Sequence, residues 1–123
     1  MGIVGGGPGS WIGHVHRIAS RFDDKYEIVA GVFSRNFKVN QSFGVSIGIN
    51  KNRCYKDFKQ LCDKEKKRKD GIEVIAIMTP PGSHQIIAEL FIKNNIHVIS
   101  DKPFAGTLTQ AKKLYKTIIK NKK

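Results

Sequence analysis

The chain has 123 residues, a formal net charge of +12 and two cysteines, Cys54 and Cys62. That length specifies one compact domain, residues 1–123, able to bury about two-thirds of its unfolded surface. No apolar run nears the ~20 residues that span a bilayer, the glycine-broken start lacks the basic region of a secretory signal, and the cysteines form no CxxC or His/Cys cluster, so a zinc site, a disulfide framework and a membrane partner are not expected and a cytoplasmic setting is the default.

The positive excess is mostly lysine, gathered between Lys56 and Lys69 and between Lys112 and Lys123. Both stretches read as helices without interleaved aromatics. They fit a solvated surface better than a nucleic-acid site, and no nucleic-acid partner is expected.

Strand-like and helix-like segments alternate from end to end. Met1–Val4 reads as a short apolar strand. A glycine-dense turn follows, Gly5-Gly6-Gly7-Pro8-Gly9-Ser10, and leads through Trp11 into a helix over Ile12–Phe22 with Ile12, Val15, Ala19 and Phe22 on one stripe. Gly5 and Gly7 fit the first two glycines of a GxGxxG fingerprint. Ser10 stands at the third position, and Gly13 reads as the displaced third glycine. Such a turn lets backbone approach a diphosphate, and the helix N-terminus aims unpaired N–H groups at it. A side chain at Gly7 is expected to intrude on that approach. A glycine-rich turn with no ligand is the plainer alternative.

Asp23-Asp24-Lys25 makes a turn, and Glu27–Phe33 a second, mostly apolar strand. Phe37–Gly44 is a short helix and Arg53–Tyr55 a brief third strand. Asp57 to about Lys67 is a charged helix carrying Phe58, Leu61 and Cys62 inward. Ile72–Met78 is a fourth strand. Ser83–Asn94 is a helix with Ile86, Ile87, Leu90 and Phe91 inward, and Ile96–Ile99 a fifth strand. Thr107 opens a final helix with Leu108, Ala111, Leu114, Tyr115 and Ile118 inward. Apolar strands separated by helices specify a parallel sheet covered on both faces. Right-handed crossovers then give an α/β, doubly wound, Rossmann-type fold, whose ligands sit outside the C-terminal ends of the strands.

The residues after each strand are therefore the candidates. After the second strand come Ser34 and Arg35, where an NAD site would carry an acidic residue for the adenosine ribose. Ser34 can donate to a phosphate and Arg35 can pair with one, which suits the 2′-phosphate of NADP. A surface arginine is the alternative. After the fourth strand, Thr79-Pro80-Pro81-Gly82-Ser83-His84 gives a stiff wall beside a cofactor or a simple helix entry, with Ser83 as a candidate cap. His84, in the first helical turn, is more readily a surface or packing residue than a catalyst. After the fifth, Asp101-Lys102-Pro103 offers a lysine to hold substrate hydroxyls or move a proton, with Asp101 placed to orient its ammonium. A charged turn is the alternative.

Together these pieces resemble the glucose–fructose oxidoreductase / inositol dehydrogenase / rhizopine catabolism family (Gfo/Idh/MocA), from Met1 to about Ala111. The glycine loop with Ile12-Gly13-x-x-His16 is similar to that family's helix opening. Thr79-Pro80-x-x-x-His84 is similar to its threonine-proline loop. Asp101-Lys102-Pro103 with Leu108-Thr109-x-Ala111 is similar to its Glu-Lys-Pro motif and following helix. Asp101 stands where glutamate is usual, and Pro81 where asparagine is frequent.

The resemblance implies an NAD(P)-binding domain of an oxidoreductase acting on sugars, polyols or related compounds, with NADP the expected cofactor and NAD the alternative. It implies that Gly5, Gly7, Gly9, Ser10, Trp11 and Ile12 shape the diphosphate site and that Ser34 and Arg35 meet the adenosine ribose. Thr79, Pro80, Pro81 and His84 would wall the nicotinamide side. Asp101, Lys102 and Pro103 would meet nicotinamide and substrate, with Lys102 the catalytic candidate. Full members carry a second, C-terminal α/β domain that supplies the substrate surface. The chain is therefore expected to be a fragment, inactive alone and taking a substrate only when that domain is supplied. A stand-alone redox-sensing module is the alternative, and homo-oligomerisation through an uncovered sheet face stays open.

Overall fold

The computed structural model describes residues 1–121; the last two lysines of the C-terminal run lie outside them. Four parallel strands form one sheet: β1 (Gly2–Gly5), β2 (Ala30–Val32), β3 (Val74–Met78) and β4 (His97–Ser100), in the order β2-β1-β3-β4. The helices are α1 (Trp11–Ala19), α2 (Phe37–Ser46), α3 (Phe58–Glu65), α4 (His84–Lys93) and α5 (Leu108–Asn121). The register pairs Gly5 with Met78 and Ile77 with Ser100, so the loops after β1, β3 and β4 emerge at one end.

The expected third strand is reduced to one parallel bridge, Gly31 to Cys54, closed by Tyr55 N–H donating to Gly31 O at 3.0 Å. Lys51–Arg53 is instead a 3₁₀ turn. The bridge lies on the outer edge of β2 and extends the doubly wound order. The second strand is also shorter than Glu27–Phe33, because at its start only isolated contacts reach β1: the Met1 ammonium donates to Glu27 O, and Val29 N–H to Met1 O.

Each sheet face has its own core. Leu61, Cys62, Ile87, Phe91 and Leu114 from α3, α4 and α5 cover Ile75 and Ile77 on one face. On the other, Ile3, Ala76 and Met78 meet Phe33, Ile49 and Cys54, with half-buried Ile12, Phe43 and Ile47 against them. Fully burying one such Leu, Ile or Phe side chain stabilises the fold by about 1.5–3 kcal/mol.

The helices depart from the expected faces in two places. In α1 the period holds but the phase is turned: Gly13 and Ser20 are buried, while Val15, Ile18, Ala19 and Phe22 are exposed. Packing of Gly13 on the glycine loop selects the inner face. The helix also stops at Ala19, where Arg21 N–H bonds Ile18 O, and Asp23 and Asp24 then adopt left-handed backbone. In α5, Leu114 is buried and Ile118 packs on the core, but Leu108 and Tyr115 are exposed. Ile86 of α4 is exposed too, while Ile92, six residues on, is buried.

Candidate cofactor site

The glycine loop is built by backbone contact. A Cβ on Gly7 would collide with the carbonyl oxygen of Phe33, at the end of β2. Gly7 is thus required by packing inside the domain, and its missing side chain would point at β2 rather than at a ligand, which corrects the expectation that it makes room for a diphosphate. A Cβ on Gly13 would collide with Gly6 O. Gly13 therefore does the work of the third fingerprint glycine, close packing of helix on loop.

Ser10 is the N-cap of α1, its Oγ accepting from Gly13 N–H at 3.1 Å. The N–H groups of Trp11 and Ile12, first and second in the helix, lie ahead of any intrahelical acceptor and carry the positive end of its dipole. Arg17 reaches back one face lower, donating from Nη1 to Gly6 O at 2.9 Å, with its guanidinium 5.2 Å from the Phe43 ring centre. Burial, and then the charge of Arg21, lower the Arg17 pKa from its ordinary value.

A cavity of about 520 Å³ opens at the C-terminal ends of the strands. Of the residues read from the sequence, Gly5, Ser10, Ser34, Arg35, Thr79 and Pro80 line it together. Such a volume falls within the range of small-molecule and cofactor clefts. Ser34 Oγ accepts from Asn36 N–H at 3.1 Å, which leaves its own hydroxyl hydrogen free to donate. Arg35 is exposed and has no ion-pair partner among the described residues. No carboxylate follows β2.

Gly7, Gly9, Trp11, Ile12, Pro81, His84, Asp101, Lys102 and Pro103 do not line this cavity. Gly9 and Pro81 are exposed, and the Trp11 side chain is 76% exposed. His84 is 1% exposed and turned away from the cavity. Its Nε2 lies 2.6 Å from Thr79 O and its Nδ1 2.9 Å from Pro103 O, so it joins the loops after β3 and β4 instead of walling a ligand. Ser83 makes no cap bond; its hydroxyl donates towards Thr79 Oγ1 at 2.7 Å and Pro80 O at 2.8 Å.

Lys102 is exposed on the loop after β4. Asp101 N–H is held by Ile77 O at 3.0 Å, and Asp101 Oδ1 accepts from Lys102 backbone N–H at 2.9 Å. The Asp101 carboxylate thus fixes the backbone of the lysine, not its ammonium.

Lys56, Asp57 and Phe58 also line the cavity and were not among the site residues read from the sequence. They directly follow the brief third strand, so the strand-end rule pointed at them. Asn40, fully buried, was missed as well: its Oδ1 accepts from Phe33 N–H at 2.6 Å and its Nδ2 donates to Tyr55 O at 2.8 Å. It ties the Ser34-Arg35 loop to the Lys56-Asp57 loop. Among the described residues no group of three His, Cys, Asp or Glu could hold a metal, and no helix is long and apolar enough to cross a membrane.

Residues 1–123 match a family model described as an oxidoreductase family with an NAD-binding Rossmann fold. The chain belongs to the Gfo/Idh/MocA family. This Gfo/Idh/MocA domain is 36% identical over 113 residues to the uncharacterized oxidoreductase YfiI of Bacillus subtilis, covering 91% of this chain and 29% of that protein. It is similar to an oxidoreductase from Sinorhizobium meliloti, with 47% identity and a TM-score of 0.90 over 96% of this chain and 33% of that one. An inositol dehydrogenase homolog from Azotobacter vinelandii, complexed with NADH and myo-inositol, gives 35% identity and a TM-score of 0.95, over 99% of this chain and 32% of that one. The Gfo/Idh/MocA chain thus spans about a third of the length of these relatives and corresponds to their NAD-binding domain.

Proposed function

We propose that this NAD-binding domain holds NADP(H) in preference to NAD(H), for an oxidoreductase acting on CH–OH groups of a sugar, polyol or related compound. The observation that carries the reading is the make-up of the cavity. At one side stand Gly5, Gly6 and Ser10, the N-cap of α1; at another stand Ser34 and Arg35 with no acidic residue after β2. The myo-inositol complex of the Azotobacter relative supports the polyol class.

In this reading the backbone of Gly5, Gly6 and Ser10, at the positive end of α1, holds the diphosphate. Ser34 and Arg35 hold the 2′-phosphate, and Thr79 and Pro80 bound the opposite side. The bound nicotinamide supplies the hydride donor or acceptor. Lys102, on a loop braced by Asp101 and by His84 through Pro103, binds a substrate hydroxyl or moves its proton. Hydride transfer also needs the reacting carbons held in near-attack geometry, which can supply several kcal/mol of barrier reduction. A second domain is required to close that pocket, so the 123-residue chain binds cofactor without turning over.

The test is calorimetric titration of the chain with NADPH and NADH. One or so charge-assisted hydrogen bonds to the 2′-phosphate stabilise the complex by about 1.5–3 kcal/mol, a preference of about 10- to 150-fold. Arg35→Ala is expected to remove most of it. Equal affinities in the unsubstituted chain reject the NADP assignment.

A further inference from the structure

We infer that Lys56 is a second cation for the adenosine 2′-phosphate, facing Arg35 across the same end of the cavity and setting cofactor choice with it. The inference rests on the NADP reading and deepens it.

Three observations carry it. First, Lys56 and Arg35 line the same cavity, although they come from different loops and stand 21 positions apart in sequence. Second, their loops are locked in register. The Asn40 amide takes Phe33 N–H and gives a hydrogen bond to Tyr55 O, so the residues just before Ser34-Arg35 and just before Lys56 share one buried side chain. Lys56 N–H in turn donates to Gln60 Oε1 at 2.8 Å. The backbone that carries the lysine is thus fixed on both sides while its side chain stays exposed.

Third, the charge around it is mostly positive. Lys56 also borders a neighbouring cavity of about 410 Å³, lined by Lys51, Lys64 and Arg68 with no carboxylate. Arg68 is paired to Asp70, but Lys56 has no ion-pair partner among the described residues; its ammonium lies 5.9 Å from the Phe37 ring centre. The acid next to it, Asp57, is spoken for as the N-cap of α3, its Oδ1 accepting from Gln60 N–H at 2.8 Å. A dianionic phosphate entering beside Arg35 would meet a second unpaired cation there, while the Asp57 carboxylate in the same lining is engaged by the N-terminus of α3.

Arg35 and Lys56 then divide the work. The guanidinium fork can bind two phosphate oxygens at fixed angles, while the ammonium acts as a point charge on a flexible stem. Such a lysine raises affinity for the extra phosphate and leaves the ribose hydroxyls of NAD unread.

The experiment titrates the 123-residue chain, Lys56→Gln, Lys56→Arg and Arg35→Ala with NADPH and NADH at two salt concentrations. Lys56 is exposed, so its variants keep the fold, which a melting curve checks. Lys56→Gln is expected to weaken NADPH about 5- to 10-fold, leave NADH unchanged and flatten the salt dependence of NADPH binding. Lys56→Arg is expected to restore most of the loss. If the parent prefers NADPH but Lys56→Gln weakens both nucleotides equally or neither, the inference falls and the NADP reading stands on Arg35. If the parent shows no NADPH preference, or binds neither nucleotide, the NADP reading falls and this inference with it.

Discussion

His84 Nδ1 lies 2.9 Å from the carbonyl oxygen of Pro103, across 19 positions of sequence, while its Nε2 faces Thr79 O at 2.6 Å. One buried ring therefore fixes the loop that carries Lys102 against the loop that bounds the cavity. His84→Ala is expected to leave both carbonyls without this partner and to cost about 1–3 kcal/mol. Thermal melts should show a drop of several degrees, and proteolysis should speed up after Asp101. An unchanged melting temperature would mean that the ring clasps nothing.

Gly7 and Gly9 sit two residues apart and are expected to respond differently. A methyl at Gly7 drives into Phe33 O, and the loop cannot yield without moving β2. Gly7→Ala should lower stability and cofactor affinity together. Around Gly9 there is open space, and the only obstacle is its φ of 75°. Gly9→Ala should cost about 1–2 kcal/mol through left-handed backbone alone. The pair is compared by urea unfolding; equal losses at both sites would contradict the packing described for Gly7.

Glu65 is 1% exposed and is the hub of a buried network. Its carboxylate accepts from Arg53 Nε at 3.0 Å, from Arg53 Nη2, from Tyr55 O–H at 2.6 Å and from Ile72 N–H at 3.2 Å. Glu65→Ala would leave the buried Arg53 guanidinium with Asp70 alone as partner, and about 3–5 kcal/mol is the expected loss. Removing Arg53 as well should cost much less than the two single losses added, since neither charge is then left alone. A double-mutant cycle by denaturant unfolding measures this, and strict additivity would count against a coupled pair.

High pH should unfold the domain sooner than exposed thiols would allow. Burial is the first cause raising the Cys62 pKa from 9.0 to about 11, and burial also raises that of Cys54. Tyr55 is pushed up too, by burial first and then by its bond to Glu65. All three are neutral in the fold, so their contribution is complete below the unfolded pKa. For Cys62 it is lost as pH climbs from about 9 through 11. Melting temperature should fall across that window, with a shallower fall in Cys62→Ala. A flat profile to pH 11 would contradict the burial.

Much of the fold was legible because it is written in local pattern. The runs Ile72–Met78 and Ser83–Asn94 carry apolar residues at strand and helix periods, and both elements formed within two residues of the expected ends. Period does not fix phase. Ile12, Val15, Ala19 and Phe22 make a regular stripe, yet the inner face of α1 is chosen by Gly13 against Gly6, a contact between backbones that no hydropathy scale registers.

The site divides in the same way. Ser34 and Arg35 were readable because the rule for doubly wound sheets says where to look. Lys56 obeyed that rule but followed a strand only one bridge long. Asn40 gave no signal: its role lies in joining two loops 22 residues apart, and a lone polar residue in a helix does not announce its partners. His84 was visible as a residue but its partners were not, since the carbonyl of Pro103 that it faces becomes its neighbour only when β4 lies beside β3.

The pairing of Gly5 with Met78 has a consequence for how the domain is made. The fingerprint is complete by residue 13. One wall of its cavity is Thr79 and Pro80, which arrive some 70 positions later with β3. Contacts of such separation close against a large loop entropy and form slowly. The most local motif in the sequence is thus completed late in the chain's own synthesis. A nascent chain ending before Val74 is expected to display every glycine of the turn and retain no nucleotide on a cofactor resin, whereas one extended past Asn94 should begin to hold it.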